Sequence, residues 1–323
     1  MFFYWSYIFD LYFCVFMSVG KKLNKKDLLS TNLATKHGYC TQRLRLCAVA
    51  DLEHKTLNIE RMMIVEQMLN NAPKPLLHIA DVSGSALFQG DCLDIMPLIP
   101  DKSVNLILAD LPYGTTEAKW DSIIPLEKLW NEYKRVIMDA GAIILTAREP
   151  FTSKLVISNL KGYKHKWIWN KKQSGSFANA KFMPLQIEED ILVFTKNGEK
   201  VNYYPQMRKG KMRKKGGSKK QIETMSKFIQ PEFFKYSDEY YPVNILEDYP
   251  NCSNKANNKH PTQKPLELMK YLISTYSNEN DMVLDNTMGS GTTCLAAKEL
   301  NRKFIGIEKE ANYYEIACRR CGF

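Results

Sequence analysis

Two short stretches carry residue types suited to chemistry. The first is MVLDNTMGSGTT, Met282 to Thr293: an apolar run feeds a glycine-rich turn, and residues suited to a helix follow. Glycines let a backbone approach a ligand closely and leave the N–H groups of a helix start able to donate. The next apolar run, Arg302 to Glu308, ends in an acid 23 residues after Asp285. At that spacing a carboxylate closing a second strand bonds the hydroxyl pair of a ribose. A lone glycine turn is as readily structural, but the two features together favour a nucleoside ligand. Asp285, Gly289, Ser290, Gly291, Thr292 and Glu308 are its candidate contacts. A Walker-type phosphate loop would close on Gly-Lys-Ser/Thr, whereas two threonines follow Gly291.

The second stretch, Asp110-Leu111-Pro112-Tyr113-Gly114, ends the apolar run Val104–Asp110. It presents an aspartate, a carbonyl at Leu111 that proline keeps out of a helix, and an aromatic ring. The first two accept hydrogen bonds and suit an amino group; the ring suits stacking on a planar base. Taken alone, such a strand end is as often a plain turn.

The elements that must position these residues alternate from about residue 85. Strands are expected to end near Asp91 and to cover Val104–Asp110, Gly141–Ala147, Trp167–Asn170, Asp190–Lys196 and Arg302–Glu308. Helices are expected over Leu126–Val136, after Pro265 (Leu266, Met269, Leu272, Ile273 and Tyr276 on one face) and at the end of the chain. Such alternation predicts an open, largely parallel sheet with helices on both faces. Between its two parts lies a run of different character. Met207 to Lys220 holds eight lysines and arginines and three glycines, and an aromatic, proline-containing stretch follows. Residues 197–258 read as an insertion.

Composition sets wider bounds. The 323 residues are 45% hydrophobic and 25% charged, ordinary for a globular chain, but the net charge of +10 favours a polyanionic partner or an anionic membrane surface. Eight scattered cysteines are too sparse for a disulfide scaffold. Cys318 and Cys321 form a CxxC without the second pair a zinc site needs, and Cys40 and Cys47 near His37 are no stronger, so no metal is expected. The apolar first nineteen residues are interrupted by Asp10 and followed by a basic cluster on the wrong side for a signal peptide. A weakly structured extension or an upstream start is expected there rather than a membrane segment. Met17, Met62 and Met63 are alternative starts.

Several motifs agree in order: Asp110-Leu111-Pro112-Tyr113, His260-Pro261-Thr262-Gln263-Lys264-Pro265, Asp285 to Thr293, and Ile305-Gly306-Ile307-Glu308. Over roughly residues 85–323 the chain thereby resembles the beta-class, circularly permuted DNA amino-methyltransferases that use S-adenosylmethionine. Thr146 to Leu155 and Asn179 to Phe194 look like the family's intermediate segments. The resemblance implies a Rossmann-like α/β fold with a seven-stranded, mostly parallel sheet. It implies an N-terminal extension (1–78), a catalytic half (79–196), a basic target-recognition insertion (197–258) and a cofactor-binding half (259–323). The late glycine turn follows from the permuted order and would hold S-adenosylmethionine, without metal.

By the same resemblance Asp110, Leu111, Pro112 and Tyr113 are the catalytic residues. Asp110 and the Leu111 carbonyl would accept the hydrogens of an exocyclic amine, and Tyr113 would stack on a base extruded from the duplex. Asp91 matches the position that bonds the cofactor's adenine, Glu308 takes the ribose, and Lys264 is a candidate for the methionine carboxylate or nearby backbone. Arg208, Lys209, Lys211, Arg213, Lys214 and Lys215 are the expected contacts to double-stranded DNA. Aspartate at the first motif position points to N6 of adenine, since N4-cytosine enzymes more often carry serine there. The alternatives are N4-cytosine methylation, a DNA-binding protein without catalysis, and methylation of a protein amide or RNA base. A restriction–modification or phage setting implies cytoplasmic location and a cognate restriction endonuclease; monomer and dimer both stay open. Two positions depart from the commonest family wording: Leu111 replaces the first proline of DPPY, and Asn286-Thr287 stand for Pro-Phe.

Overall fold

The protein was analysed as a computed structural model, which describes residues 63–71, 77–80, 84–114, 121–174, 177, 180–215, 235–251 and 263–323. The apolar N-terminal run, His37, Cys40, Cys47 and His260-Pro261-Thr262 lie outside the described residues.

The strands of the main sheet are β1 (Leu77–Ala80), β2 (Ala86–Gln89), β3 (Val104–Asp110), β4 (Ile137–Ala147), β5 (Tyr163–Asn170), β6 (Glu188–Phe194), β9 (Ile245–Leu246), β10 (Met282–Asp285) and β11 (Lys303–Glu308). They lie in the order β1-β2-β11-β10-β3-β4-β6-β5-β9. From β2 through β4 every neighbouring pair is parallel, whereas β6 runs against both β4 and β5. Two short edge strands, β1 and β9, extend the seven that the sequence leads one to expect. Central β3 and β10 are apolar almost throughout because both of their faces are covered.

One face carries helices α1 (residues 63–71), α2 (Cys92–Ile95), α3 (Leu126–Val136) and α4 (Phe151–Ser158), whose Met68, Ile95, Tyr133 and Leu155 join Ile107, Leu145 and Leu284 of the sheet. The other face carries α5 (Leu266–Tyr276), α6 (Thr292–Glu299) and α7 (Ala311–Cys321). There Leu272, Ile273, Ala297 and Ala317 pack on Leu106, Ile144 and Val283. These two apolar layers account for the amphipathic spacing read in the sequence.

Three boundaries differ from expectation. Helix α1 buries Ile64, Val65 and Met68 in the first apolar layer, so the folded body begins ahead of residue 79. Strand β4 starts at Ile137, directly where α3 ends, rather than at Gly141. Within the expected insertion, β9 returns to the main sheet beside β5, while β7 (Arg208–Lys215) and β8 (Lys235–Tyr240) form a separate antiparallel ribbon. A basic run with no apolar alternation gives no strand signal; here pairing with β8 supplies what the pattern lacks. Among the described residues no helix is long and apolar enough to cross a membrane, and no group of three or more His, Cys, Asp or Glu gathers as a metal site would require.

Candidate active site

The parallel strands β2, β11, β10 and β3 all end at one edge of the sheet, where open α/β sheets hold their ligands. A cavity of about 550 Å³ opens there, lined by Asp91, Asp110, Leu111, Pro112, Tyr113, Lys264, Asp285, Gly289, Ser290, Thr292 and Glu308. Every expected catalytic and cofactor residue thus meets in one cleft except Gly291, which stands behind it as the N-cap of α6. The two halves are joined directly, for the Thr287 hydroxyl donates to the Asp110 carbonyl at 3.1 Å.

Asp110 forms the more charged side. Its Oδ1 accepts from the Thr146 hydroxyl and lies 2.9 Å from the Tyr113 hydroxyl, while Oδ2 receives the Lys264 ammonium at 2.8 Å. Lys264 also meets Glu189 at 2.7 Å, and Glu189 lies 3.1 Å from the Tyr113 hydroxyl and 3.4 Å from Lys171. Burial alone would pull the Lys264 ammonium down; the Asp110 and Glu189 carboxylates outweigh it, and its pKa is raised. Lys264 stays charged, as does the countercharge it supplies. Burial, with Asp110 and Glu189 adding to it, pushes the Tyr113 hydroxyl well above its ordinary range, so it remains a neutral donor. The Tyr113 ring stacks on Phe151, with centroids 5.5 Å apart.

Lys264, expected at the methionine carboxylate or nearby backbone, pairs here with the two protein carboxylates Asp110 and Glu189, beside the proposed amine-accepting corner. Sequence reasoning does not find Glu189 and Thr146 as site residues. The available signal is a run of three acids, Glu188-Glu189-Asp190, opening a strand that is buried from Glu189 onward.

The glycine turn is held mostly through its backbone. Gly291 has φ +76°, a left-handed conformation, and a Cβ there would sit 2.8 Å from Ala317 Cβ, so only glycine serves. Arg320 Nη1 donates to the Ser290 carbonyl at 2.6 Å, to the Ser290 hydroxyl at 2.8 Å and to the Thr292 hydroxyl at 3.0 Å. Glu308 accepts the Gly289 N–H at 2.8 Å and the Glu310 N–H at 2.8 Å, tying the turn to the end of β11. Asp91 caps α2 by accepting the Leu93 N–H at 3.0 Å and pairs with Lys309 at 3.1 Å.

Asp285 is buried, and that burial pushes its carboxyl up to about 7 despite donors from Thr293 and Thr287. Beside it, the Asn286 side chain accepts from the Tyr133 hydroxyl at 2.6 Å, while its Nδ2 is buried without an acceptor among the described residues. A buried amide lacking an acceptor in a cleft wall is a group for which a ligand can provide one. Together with carboxylates at Asp91 and Glu308, this donor and acceptor set fits a nucleoside-bearing cofactor.

The expected nucleic-acid contacts all fall on β7. Arg208, Lys209, Lys211, Arg213 and Lys214 are exposed there, and Lys215 closes the strand. Lys209 pairs with Asp238 at 3.5 Å, and the Arg213 guanidinium lies over the Tyr240 ring at 5.8 Å.

A family profile described as DNA methylase matches residues 104–319. The chain is similar to the Type II methyltransferase M1.MboII of Moraxella bovis, with 30% identity over 257 residues covering 72% of this chain and 94% of that one. It is also similar to the DNA adenine methyltransferase YhdJ of Escherichia coli (strain K12), with 31% identity over 254 residues, 72% of this chain and 81% of that one. Among solved structures, the crystal structure of the M1.HpyAVI–SAM complex matches with TM-score 0.50 and 26% identity, covering 72% of this chain and 98% of that one.

Proposed function

The chain belongs to the DNA methylase family and is a methyltransferase enzyme, and from that premise we propose that it methylates the N6 amino group of adenine at specific sites in double-stranded DNA. The observation that carries this reading is the shared cleft: the Asp110 carboxylate and the turn around Gly289 line one cavity.

S-adenosylmethionine, when bound, supplies a methyl group made electrophilic by its sulfonium. Asp91, Asp285, the Gly289–Thr292 turn and Glu308 are the residues proposed to hold it. An exocyclic amine on a base is a poor nucleophile because its lone pair is delocalised into the ring. Asp110 Oδ and the Leu111 carbonyl accept its two hydrogens and draw the nitrogen toward tetrahedral geometry. Lys264, Tyr113 and Thr146 fix the Asp110 carboxylate in place beforehand, so little reorganisation accompanies the reaction. The Tyr113 ring offers a stacking surface for a base taken out of the duplex.

The basic ribbon β7–β8 is proposed to grip the phosphates. A two-stranded ribbon matches the width of the major groove, and phosphate contacts fix position without reading sequence. The relatives named as Type II methyltransferases support a restriction–modification setting, hence cytoplasmic location and a cognate restriction endonuclease as partner.

Expression in a host without its own DNA methylases, followed by nucleoside chromatography of digested DNA, tests the proposal. N6-methyladenine is expected. N4-methylcytosine in its place would move the target to cytosine, and no methylated nucleoside would retire the reading.

A further inference from the structure

The segment joining β5 to β6 rises from the wall of the cleft. Lys171 and Gln173 at its start line the cavity, and the Lys171 N–H donates to the Ile187 carbonyl at 2.7 Å, pinning the two ends together. Near its far end Gln186 accepts from Arg148, which lines the cavity too. Between these pins the described residues include Phe177, 69% exposed, and the run Phe182-Met183-Pro184-Leu185, which faces water. Phe182 is 88% exposed, Met183 42% and Leu185 39%. A phenylalanine this exposed forfeits the burial that normally accounts for its presence. Among the described residues nothing covers it, which leaves it open to a partner.

The surroundings define that partner. Lys172 and Lys181 are exposed on the same segment, and the whole chain carries +10. An apolar tip bracketed by cations suits a surface with a charged outside and an apolar, stacked inside, which describes a DNA duplex. The reaction adds a second demand. Asp110 sits inside the cleft, so a target base must leave its stack to reach it, and the vacated space costs stacking energy unless something fills it.

Resting on the DNA methyltransferase reading, we propose that Phe182, flanked by Met183 and Leu185, is a wedge that enters the base stack at the mouth of the cleft and fills the gap left by the extruded target base. Apolar side chains are known to enter the base stack, where they wedge between adjacent base steps. The wedge acts on the duplex and not on the methyl transfer itself.

The test begins with the wild-type protein, whose methylated motif is read by strand-resolved sequencing of a plasmid carrying the gene. Methyl transfer is then followed on two oligonucleotide duplexes bearing that motif, one fully paired and one with an abasic site opposite the target base, which is already unpaired. Phe182→Ala should lose tenfold or more on the paired duplex and stay within threefold of wild type on the abasic one; Phe182→Trp should retain activity on both. At 88% exposure the substitution leaves the fold intact, which a thermal melt verifies. Equal loss on both duplexes, or no loss on either, overturns the wedge while leaving the methyltransferase reading untouched. A wild type that methylates no plasmid base overturns that reading, and the wedge with it.

Discussion

The two sides of the cleft are built on opposite plans. At the glycine turn, partners are close in sequence: Gly289 and Glu308 are 19 residues apart, and backbone groups make most of the bonds. At the Asp110 corner, Lys264 reaches Asp110 across 154 residues, Tyr113 meets Glu189 across 76, and side-chain charges make the contacts. Their acids differ accordingly. Asp110 has a buried ammonium beside it, whereas Asp285 is offset by hydroxyl and amide donors and its carboxyl is pushed up to about 7. On the proposed reading, with cofactor at one wall and reaction at the other, local geometry serves the first task and long-range charge placement the second.

Separating the two walls by mutation is the sharpest check. Asp110→Ala should cut methyl transfer by about 10³-fold or more, the scale of removing a preorganised electrostatic contact, while S-adenosylmethionine binding by isothermal titration stays within a few-fold. Comparable loss of cofactor affinity would erase the distinction between the walls. Lys264→Met takes the shared cation from Asp110 and Glu189, leaving Glu189 only the longer pair with Lys171, and should cost about 4 kcal/mol in urea unfolding, with Lys264→Arg recovering part of it. An unchanged midpoint would show that Lys264 is not the countercharge of its corner.

The glycine wall should announce itself through pH. Because the folded-state value of Asp285 lies above its ordinary 3.8, the folded protein holds a proton there that the unfolded chain releases between about pH 4 and 7. Its stabilising contribution is full below pH 4 and is lost as pH rises through 7. Wild type should therefore fall relative to Asp285→Asn by on the order of 3 kcal/mol over that window, measured by denaturant unfolding. Parallel curves would place the Asp285 titration elsewhere.

The smallest effect belongs to the ribbon. With about five phosphates neutralised, log affinity for DNA should fall with log salt at a slope near −4.5, and Lys211→Ala/Lys214→Ala should make that slope shallower by about 1.8. A slope unmoved by the double substitution would leave the ribbon without phosphate contacts.

The same contrast explains what could be read in advance. Val104–Asp110 and Leu126–Val136 match their elements end to end, because apolar runs and helical spacing are local signals. The glycine turn stands where the sequence puts it, between a strand and a helix, although Gly291, expected to touch the ligand, serves as the helix N-cap behind the cleft. The meeting of Lys264 with Asp110 and Glu189 depends on which strands lie side by side. Nothing within ten residues of Lys264 or Glu189 encodes that. The β7 strand escaped because its partner, not its own pattern, makes it a strand. Helix α1 was set aside with the extension, although Ile64, Val65 and Met68 have helical spacing.

Strands β10 and β11 lie in the middle of the sheet, between β2 and β3. Until the ribosome has released residues 282–308, the nascent chain holds two detached sheet fragments, each with an open edge that invites mispairing or a chaperone. The missing segment is also the wall that carries the glycine turn. Assembly and competence to modify DNA therefore arrive in one late step, and a chain interrupted before it has neither.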